Sequence, residues 1–285
     1  MSQQRILVTG ATGTIGREVV RQLQQRGADF AVLASHSGRT LPGVLSVEGD
    51  FSDPASLQRA FKGFDTLFLL EPLVPNKVEL ARNAIDAAKA AGVRHIVRSS
   101  GAGADAGSPV PIAKVQGTID QLVQGSGLGW TLLRPSFFMQ NWVNFYADQL
   151  KAGTYHAAHG QGAVGTIDVR DIAESAAAVL VDPQAHAGKV YTLTGAEALT
   201  TGEQVAAIAE AVGKPIRYVD VPESAVEQAL QAMGAPAQVV EWMLSLHYVV
   251  RQGWAAGLTD DVKALTGHAP RRFLDFVAEN VAAWR

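Results

Sequence analysis

The sequence predicts a doubly wound α/β fold, a parallel sheet with helices on both faces, followed by a small, mostly helical C-terminal lobe. Three observations predict it. Short apolar runs alternate with helical patterns from Ile6 to about Leu193. One run, Thr66-Leu67-Phe68-Leu69-Leu70, is apolar without polar alternation, as a strand covered on both faces requires. After about Leu199 the strand rhythm gives way to helical periodicity. The expected division is residues 1–198 for the sheet domain and 199–285 for the lobe.

Composition narrows what such a chain can be. Its 285 residues suffice for one large α/β domain with an appended lobe, and 47% hydrophobic content suits a globular core. A formal charge of −3 offers no electrostatic footing for nucleic acid or an anionic membrane. With no cysteine, thiolate catalysis and cysteine-held metal are excluded, no metal site is expected, and a reducing compartment fits. The first strand starts at about Ile6, too early to follow a signal peptide, and no apolar run reaches the ~18 residues of a membrane span. The expected setting is cytoplasmic, with no membrane partner. Nothing in the pattern chooses between a monomer and a homodimer.

The elements follow in order. Ile6-Leu7-Val8 is a strand that runs into Thr9-Gly10-Ala11-Thr12-Gly13-Thr14-Ile15-Gly16, and Ile15, Val19, Val20 and Leu23 then share one helical face. Glycine in the turn permits positive φ and close approach of the backbone to a ligand. The free N–H groups and positive end of the following helix suit an anion, and Gly16 lets the helix pack close to the strand. Strand, glycine turn and helix in this order are the context of a Rossmann-type pyrophosphate site, with Gly10, Thr12, Gly13, Thr14, Ile15 and Gly16 as its contacts.

Phe30–Ala34 is the second strand. An NAD-binding chain would carry an acidic residue just beyond it; here Ser35-His36-Ser37-Gly38-Arg39 stands instead. Ser35, His36 and Arg39 can hold a 2′-phosphate, so NADP(H) is expected over NAD(H); the plain alternative is a solvated loop. The third strand, Val44–Val47, ends in Gly49-Asp50-Phe51. Asp50 is either a turn residue or an acceptor for an adenine amino group, with Phe51 beside it. Asp53 then caps a helix with Pro54 at its first position. The fourth strand ends at Leu70-Glu71, a helix runs from about Val78 to Ala91, and the fifth strand, Val93–Arg98, ends in Ser99-Ser100-Gly101. Ligands of such sheets sit beyond the strands' carboxyl ends, where Gly10, Ser35, Asp50, Glu71 and Ser99 all fall.

Ile112 to Gln124 reads as a helix carrying Lys114, and Trp130–Arg134 as the sixth strand. Pro135, Phe137, Phe138, Met139, Trp142 and Phe145 follow it closely, as either an aromatic pocket wall for a flat ligand or core packing. Asn141–Leu150 reads as helix, Gly160–Gly165 as a loop over the site, and Ile167–Asp171 as the lead into an alanine-rich helix ending at Leu180. Val190–Leu193 is a late strand. In the lobe Thr201 caps a helix to Val212, and Ile216–Val219 is a short strand. Phe273, Phe276, Val277, Val281 and Trp284 form a stripe on the last helix. Trp242, His247 and Trp254 are candidates to close over a substrate, although a lone histidine is more often structural.

The chain resembles the NmrA-like atypical short-chain dehydrogenases/reductases. The carrying segments are the Thr9–Gly16 turn, Gly49-Asp50-Phe51-Ser52-Asp53-Pro54, Ser126–Pro135, Asp168–Ala173 and Leu193-Thr194-Gly195, which span most of the chain. The resemblance implies a dinucleotide cofactor and a function within a family of NAD(P)H-dependent quinone oxidoreductases, triphenylmethane dye reductases and dinucleotide-binding transcriptional co-regulators. It implies cofactor contacts by Leu70, Glu71, Pro135 and Phe137 besides those above, a ribose-holding role for Lys114, and a substrate-orienting role for Ser99. Lys114 otherwise reads as a surface lysine, and Ser99 as an ordinary turn former. Phe138, Met139, Trp142, Trp242 and His247 are the implied acceptor contacts.

The wider superfamily places a tyrosine four residues before that lysine, where this chain has Val110 between Pro109 and Pro111, and the first of its five tyrosines is Tyr146. The expected activity is therefore an NAD(P)H-dependent reductase that passes hydride to a planar small molecule, such as a quinone or dye, which needs no adjacent proton donor. Two alternatives stay open: a silent NADP(H)-sensing regulator acting through a protein partner, and a biosynthetic imine or enone reductase.

Overall fold

The computed structural model describes residues 5–35 and 41–285. In chain order the elements are β1 (Ile6–Val8), α1 (Thr14–Gln25), β2 (Phe30–Ala34), β3 (Ser46–Glu48), α2 (Pro54–Ala60), β4 (Thr66–Leu69), α3 (Lys77–Ala91), β5 (His95–Ser99), α4 (Pro111–Gln124) and β6 (Gly129–Pro135). Then come α5 (Asn141–Asn144), α6 (Ala147–Lys151), β7 (Thr154–Ala157), β8 (Ala163–Val164), α7 (Val169–Val181), β9 (Lys189–Leu193), β10 (Leu199–Thr200), α8 (Thr201–Val212) and β11 (Arg217–Asp220). Four helices close the chain: α9 (Glu223–Ala232), α10 (Ala237–Arg251), α11 (Asp261–Thr266) and α12 (Phe273–Asn280). Two compact units result. The first comprises Met1–Pro109, Ala113–Arg134 and Ile172–Thr192; the second comprises Val110–Ile112, Pro135–Asp171 and Leu193–Arg285.

The first unit holds a seven-stranded sheet in the order β3-β2-β1-β4-β5-β6-β9. The pairings from β3 through β6 are all parallel. After β3 the chain crosses to the other side of β1, so the order reverses between β1 and β4, the place where such sheets open a crevice at their carboxyl ends. β4 and β5 are buried at every position, which explains the unbroken apolar pattern of β4. Leu7, Leu57, Phe61, Leu67, Ile85 and Leu132 belong to one core under α2 and α3. The expected cap of α2 is present: Asp53 accepts hydrogen bonds from the amides of Ala55 and Ser56 at 3.0 and 3.2 Å, with Pro54 next in line.

The second unit is mostly helical around Trp142, Tyr155, Ile208, Phe273, Phe276 and Trp284. Several sequence expectations are corrected here. The expected helix Asn141–Leu150 is two short helices, because the Trp142 carbonyl accepts from Trp284 Nε1 at 2.9 Å and the Tyr146 amide turns back to Asn141. Thr200, not Thr201, caps α8, in a capping box with Glu203. Gly160–Gly165 is not simply a loop: β8 lies within it and pairs antiparallel with β10. A Cβ at Gly162 would fall 1.8 Å from the Val250 carbonyl oxygen, so this glycine serves close packing inside the unit. The last helix ends at Asn280, and Val281 begins a separate turn that buries Trp284.

Candidate functional site

The glycine turn has the geometry its spacing predicts, with the roles divided differently. Gly10 is the member with a left-handed backbone, φ +65°. It allows the chain to fold back after β1, so that the Gly13 amide donates to the Gly10 carbonyl at 3.0 Å. Gly16 is required by contact: a Cβ there would lie 2.1 Å from the Gly10 oxygen and 2.7 Å from Ala11 Cα. The helix therefore packs on the turn itself. Gly13 is different. It is exposed, has ordinary extended dihedrals, and a Cβ would meet only the Gly10 oxygen at 3.3 Å. Among the described residues nothing else lies within 4 Å of that position, and α1 begins there without a side-chain cap, the arrangement in which a helix start can receive an anion.

A cavity of about 430 Å³ adjoins this turn and is built by four strand ends. β1 contributes Gly10, Ala11 and Thr12, and β2 contributes Leu33, Ala34 and Ser35. Gly49, Asp50, Phe51 and Ser52 come from beyond β3, and Pro72, Val74, Asn76 and Leu80 from beyond β4. The Asp50 carboxylate accepts from the Ser52 hydroxyl and amide, both at 2.7 Å through Oδ1, and these bonds hold its pKa below the usual range. That leaves Oδ2 as an ionised acceptor at the cavity. Asn83 fixes the Phe51 carbonyl at 2.9 Å. His36 and Arg39, on which the 2′-phosphate reading rests, lie outside the described residues; Ser35 is exposed at the cavity edge.

At the end of β5, Ser99 and Ser100 are buried and neither hydroxyl has a hydrogen-bond partner among the described residues. Unpaired buried hydroxyls at a strand's carboxyl end fit the polar groups of a ligand. Lys114 is exposed on the first turn of α4, and Val110 just before it is buried.

Behind this rim lies a charged group that sequence reasoning did not assemble. Glu71 follows β4, and its Oε1 pairs with Arg98 in β5 and with Lys77 Nζ at 3.0 Å. Arg98 also pairs with Asp120 and donates to Gln116, and Asp120 accepts from Arg134 at 2.7 Å. Burial alone would raise the Glu71 carboxyl, but the Arg98 and Lys77 charges and hydrogen bonds hold it at about 2. Burial pushes the Lys77 ammonium down despite Glu71. Glu71, expected as a cofactor contact, is buried within this network, and Leu70 lies against Gly10. The signal available in the sequence was an arginine closing the apolar run of β5 and a glutamate closing that of β4.

In the second unit, Pro135 is buried and Phe137 and Phe138 keep partial exposure. Met139 and Trp142 belong to the core, where Trp142 Nε1 donates to Gln204 at 2.8 Å. Trp242 is also buried. His247 stacks on His159 with centroids 4.6 Å apart and accepts from the Ala158 amide at 3.3 Å. Burial lowers His247 to about 4 and His159 to about 3. Trp254 is exposed and meets Tyr248 edge to face.

A switch-point cavity beside a glycine turn and helix start defines a dinucleotide-binding α/β protein. The chain belongs to the NmrA-like family, whose model matches residues 2–259. It is 38% identical over 283 residues to an NAD(P)H azoreductase of Xenophilus azovorans, covering 98% of this chain and 99% of that one. Its structure resembles the NADPH-dependent quinone oxidoreductase of Escherichia coli complexed with NADPH, with TM-score 0.85 and 27% identity over 96% of this chain and 99% of that one. It also resembles the Citrobacter sp. triphenylmethane reductase complexed with NADP(H), with TM-score 0.83 and 25% identity over 97% and 99% of the two chains.

Proposed function

We propose that this protein is an NAD(P)H-dependent reductase of planar electron acceptors such as quinones, azo compounds or cationic dyes. The observation that carries the reading is the Gly10–Gly16 turn opening on the switch-point cavity, where a side chain at Gly13 would meet only the Gly10 carbonyl oxygen, at 3.3 Å. Names of the relatives supply the acceptor class.

The α1 amides hold the pyrophosphate and Asp50 Oδ2 accepts from the adenine amino group. Ser99 and Ser100 orient the nicotinamide end, and Lys114 reaches the ribose hydroxyls. When bound, the reduced dinucleotide supplies the hydride. Among the expected acceptor contacts of the second unit, Phe138 is a partly exposed aromatic residue of the kind a flat molecule can pack against. With Val110 at the superfamily's tyrosine position, the protein offers no phenol to the acceptor there, and water supplies any proton. Acceptors whose added charge is delocalised or neutralised suit such a site. NADP(H) is favoured over NAD(H) because Ser35-His36-Ser37-Gly38-Arg39, just beyond β2, holds no acidic side chain. No helix of the described residues is long and apolar enough to cross a membrane.

The test follows nicotinamide absorbance with NADPH or NADH against quinones, azo dyes, triphenylmethane dyes, enones and imines. Turnover with a planar acceptor is expected. Tight NADPH binding with no acceptor consumed refutes the reductase and moves the sensing regulator ahead.

A further inference from the structure

The segment from Glu71 to Lys77 is a loop whose two ends are tied to each other. Glu71 follows β4 and Lys77 opens α3. Lys77 Nζ lies 3.0 Å from Glu71 Oε1, with side chains 4% and 0% exposed. Between them run Pro72-Leu73-Val74-Pro75-Asn76, of which Pro72, Val74 and Asn76 line the cavity. Two prolines restrict the backbone, and the Lys77 amide donates to the Val74 carbonyl at 3.0 Å. The start of the loop is also referenced to the sheet, because Arg98 holds the same Glu71 oxygen.

Burying an ammonium is a costly way to join two ends of chain, and apolar residues of similar volume would pack there at no loss of stability. An ion pair does what such packing does not. It fixes the separation and direction of two particular atoms, and here those atoms bracket one wall of the cavity.

We infer that Lys77 is a positioning residue for dinucleotide binding: its ion pair with Glu71 closes the Pro72–Asn76 loop into the shape that receives the adenosine half of the cofactor. The inference rests on the reading of the cavity as the dinucleotide site. Lys77 touches no ligand in this arrangement; it acts through the loop, with Glu71 and Arg98 as its anchor.

Lys77→Met removes the tie and leaves Glu71 paired with Arg98. Loosening the wall adds ordering entropy to each binding event, so the Kd for NADPH, by fluorescence titration, rises by at least about tenfold. ADP, which probes the adenosine half alone, weakens in parallel. At saturating NADPH, kcat stays within about twofold of wild type, because loss of uniform binding appears in KM. Asp120→Asn is the comparison: it cuts the same buried network at Arg98, away from the loop, and lowers the melting temperature without the rise in Kd. Lys77→Gln, whose amide can still donate to Glu71, gives an intermediate Kd and serves if Lys77→Met does not fold.

An unchanged NADPH Kd in a folded Lys77 variant overturns the inference, as does an equal rise in Asp120→Asn. A wild-type protein that binds neither NADPH nor NADH overturns the dinucleotide site itself, and the inference with it.

Discussion

Gly13 and Gly16 are both glycines of one motif, yet the structure gives them different reasons to lack a side chain, and paired substitutions to alanine separate those reasons. At Gly16 an added methyl would stand 2.1 Å from a backbone oxygen and 2.7 Å from a backbone carbon. Neither can rotate away, so α1 must withdraw from the turn. Overpacking of this kind costs about 1–3 kcal/mol, and alanine's better helix propensity returns at most ~1 kcal/mol. With two backbone atoms under 3 Å away the cost sits at the upper end of that range, and the net loss of about 2 kcal/mol lowers the melting temperature by about 4–8 °C for a chain of this size. At Gly13 the methyl meets one oxygen at 3.3 Å and the dihedrals suit alanine. Only the N-cap preference is lost, about 0.5 kcal/mol, and melting shifts by ~2 °C or less. Cofactor binding inverts part of this order. A methyl at Gly13 stands where the pyrophosphate would approach, and each charge-assisted hydrogen bond lost costs about 1.5–3 kcal/mol, or roughly 10–100-fold in Kd. The assay is thermal unfolding of the free protein beside NADPH titration of both variants. Gly13→Ala with wild-type affinity, or with a melting loss as large as that of Gly16→Ala, refutes the assignment of Gly13 to the ligand.

Two further outcomes are expected. Arg39→Ala weakens NADPH much more than NADH in parallel titrations; equal losses remove the basis for an NADP(H) preference. His95 is fully buried with Nε2 3.0 Å from Thr131 Oγ1, and burial, with His186 nearby, lowers it to about 4. The native ring is thus neutral while the unfolded ring titrates near 6.5. Its contribution is complete above that value and is lost as pH falls from about 6.5 to about 4, to a limit near 3 kcal/mol. Urea unfolding from pH 7.5 to 5 therefore shows a shallower pH dependence in His95→Gln than in wild type, and parallel slopes would exclude this histidine as a source of the acid sensitivity.

What was legible in the sequence is what depends on neighbours along the chain. Strands β1, β2 and β4 and the Asp53-Pro54 start of α2 are encoded within a few residues, and the structure reproduces them. The Gly10–Gly16 turn was legible for the same reason, although which glycine answers to φ and which to contact needs three dimensions. The helix expected over Asn141–Leu150 failed because the carbonyl of Trp142 is taken by a tryptophan 142 residues later. No local pattern carries that information. The glycines of 160–165 misled similarly: Gly162 answers to Val250 and Gly165 to Gly257 and Leu258, far along the chain.

Glu71 shows most clearly how one sequence position can serve two roles. Its place after an apolar strand at the ligand rim is the same for a residue that touches a cofactor and for one that supports the wall from behind. What separates the two is whether opposite charges are buried with it, and here Arg98, 27 residues on, and Lys77, across the loop, are. The carboxylate is held by two cations at Oε1, while its Oε2 is buried without a hydrogen-bond partner among the described residues. The bond that ties Glu71 to the loop lining the cavity is the one from Oε1 to Lys77, at the loop's other end.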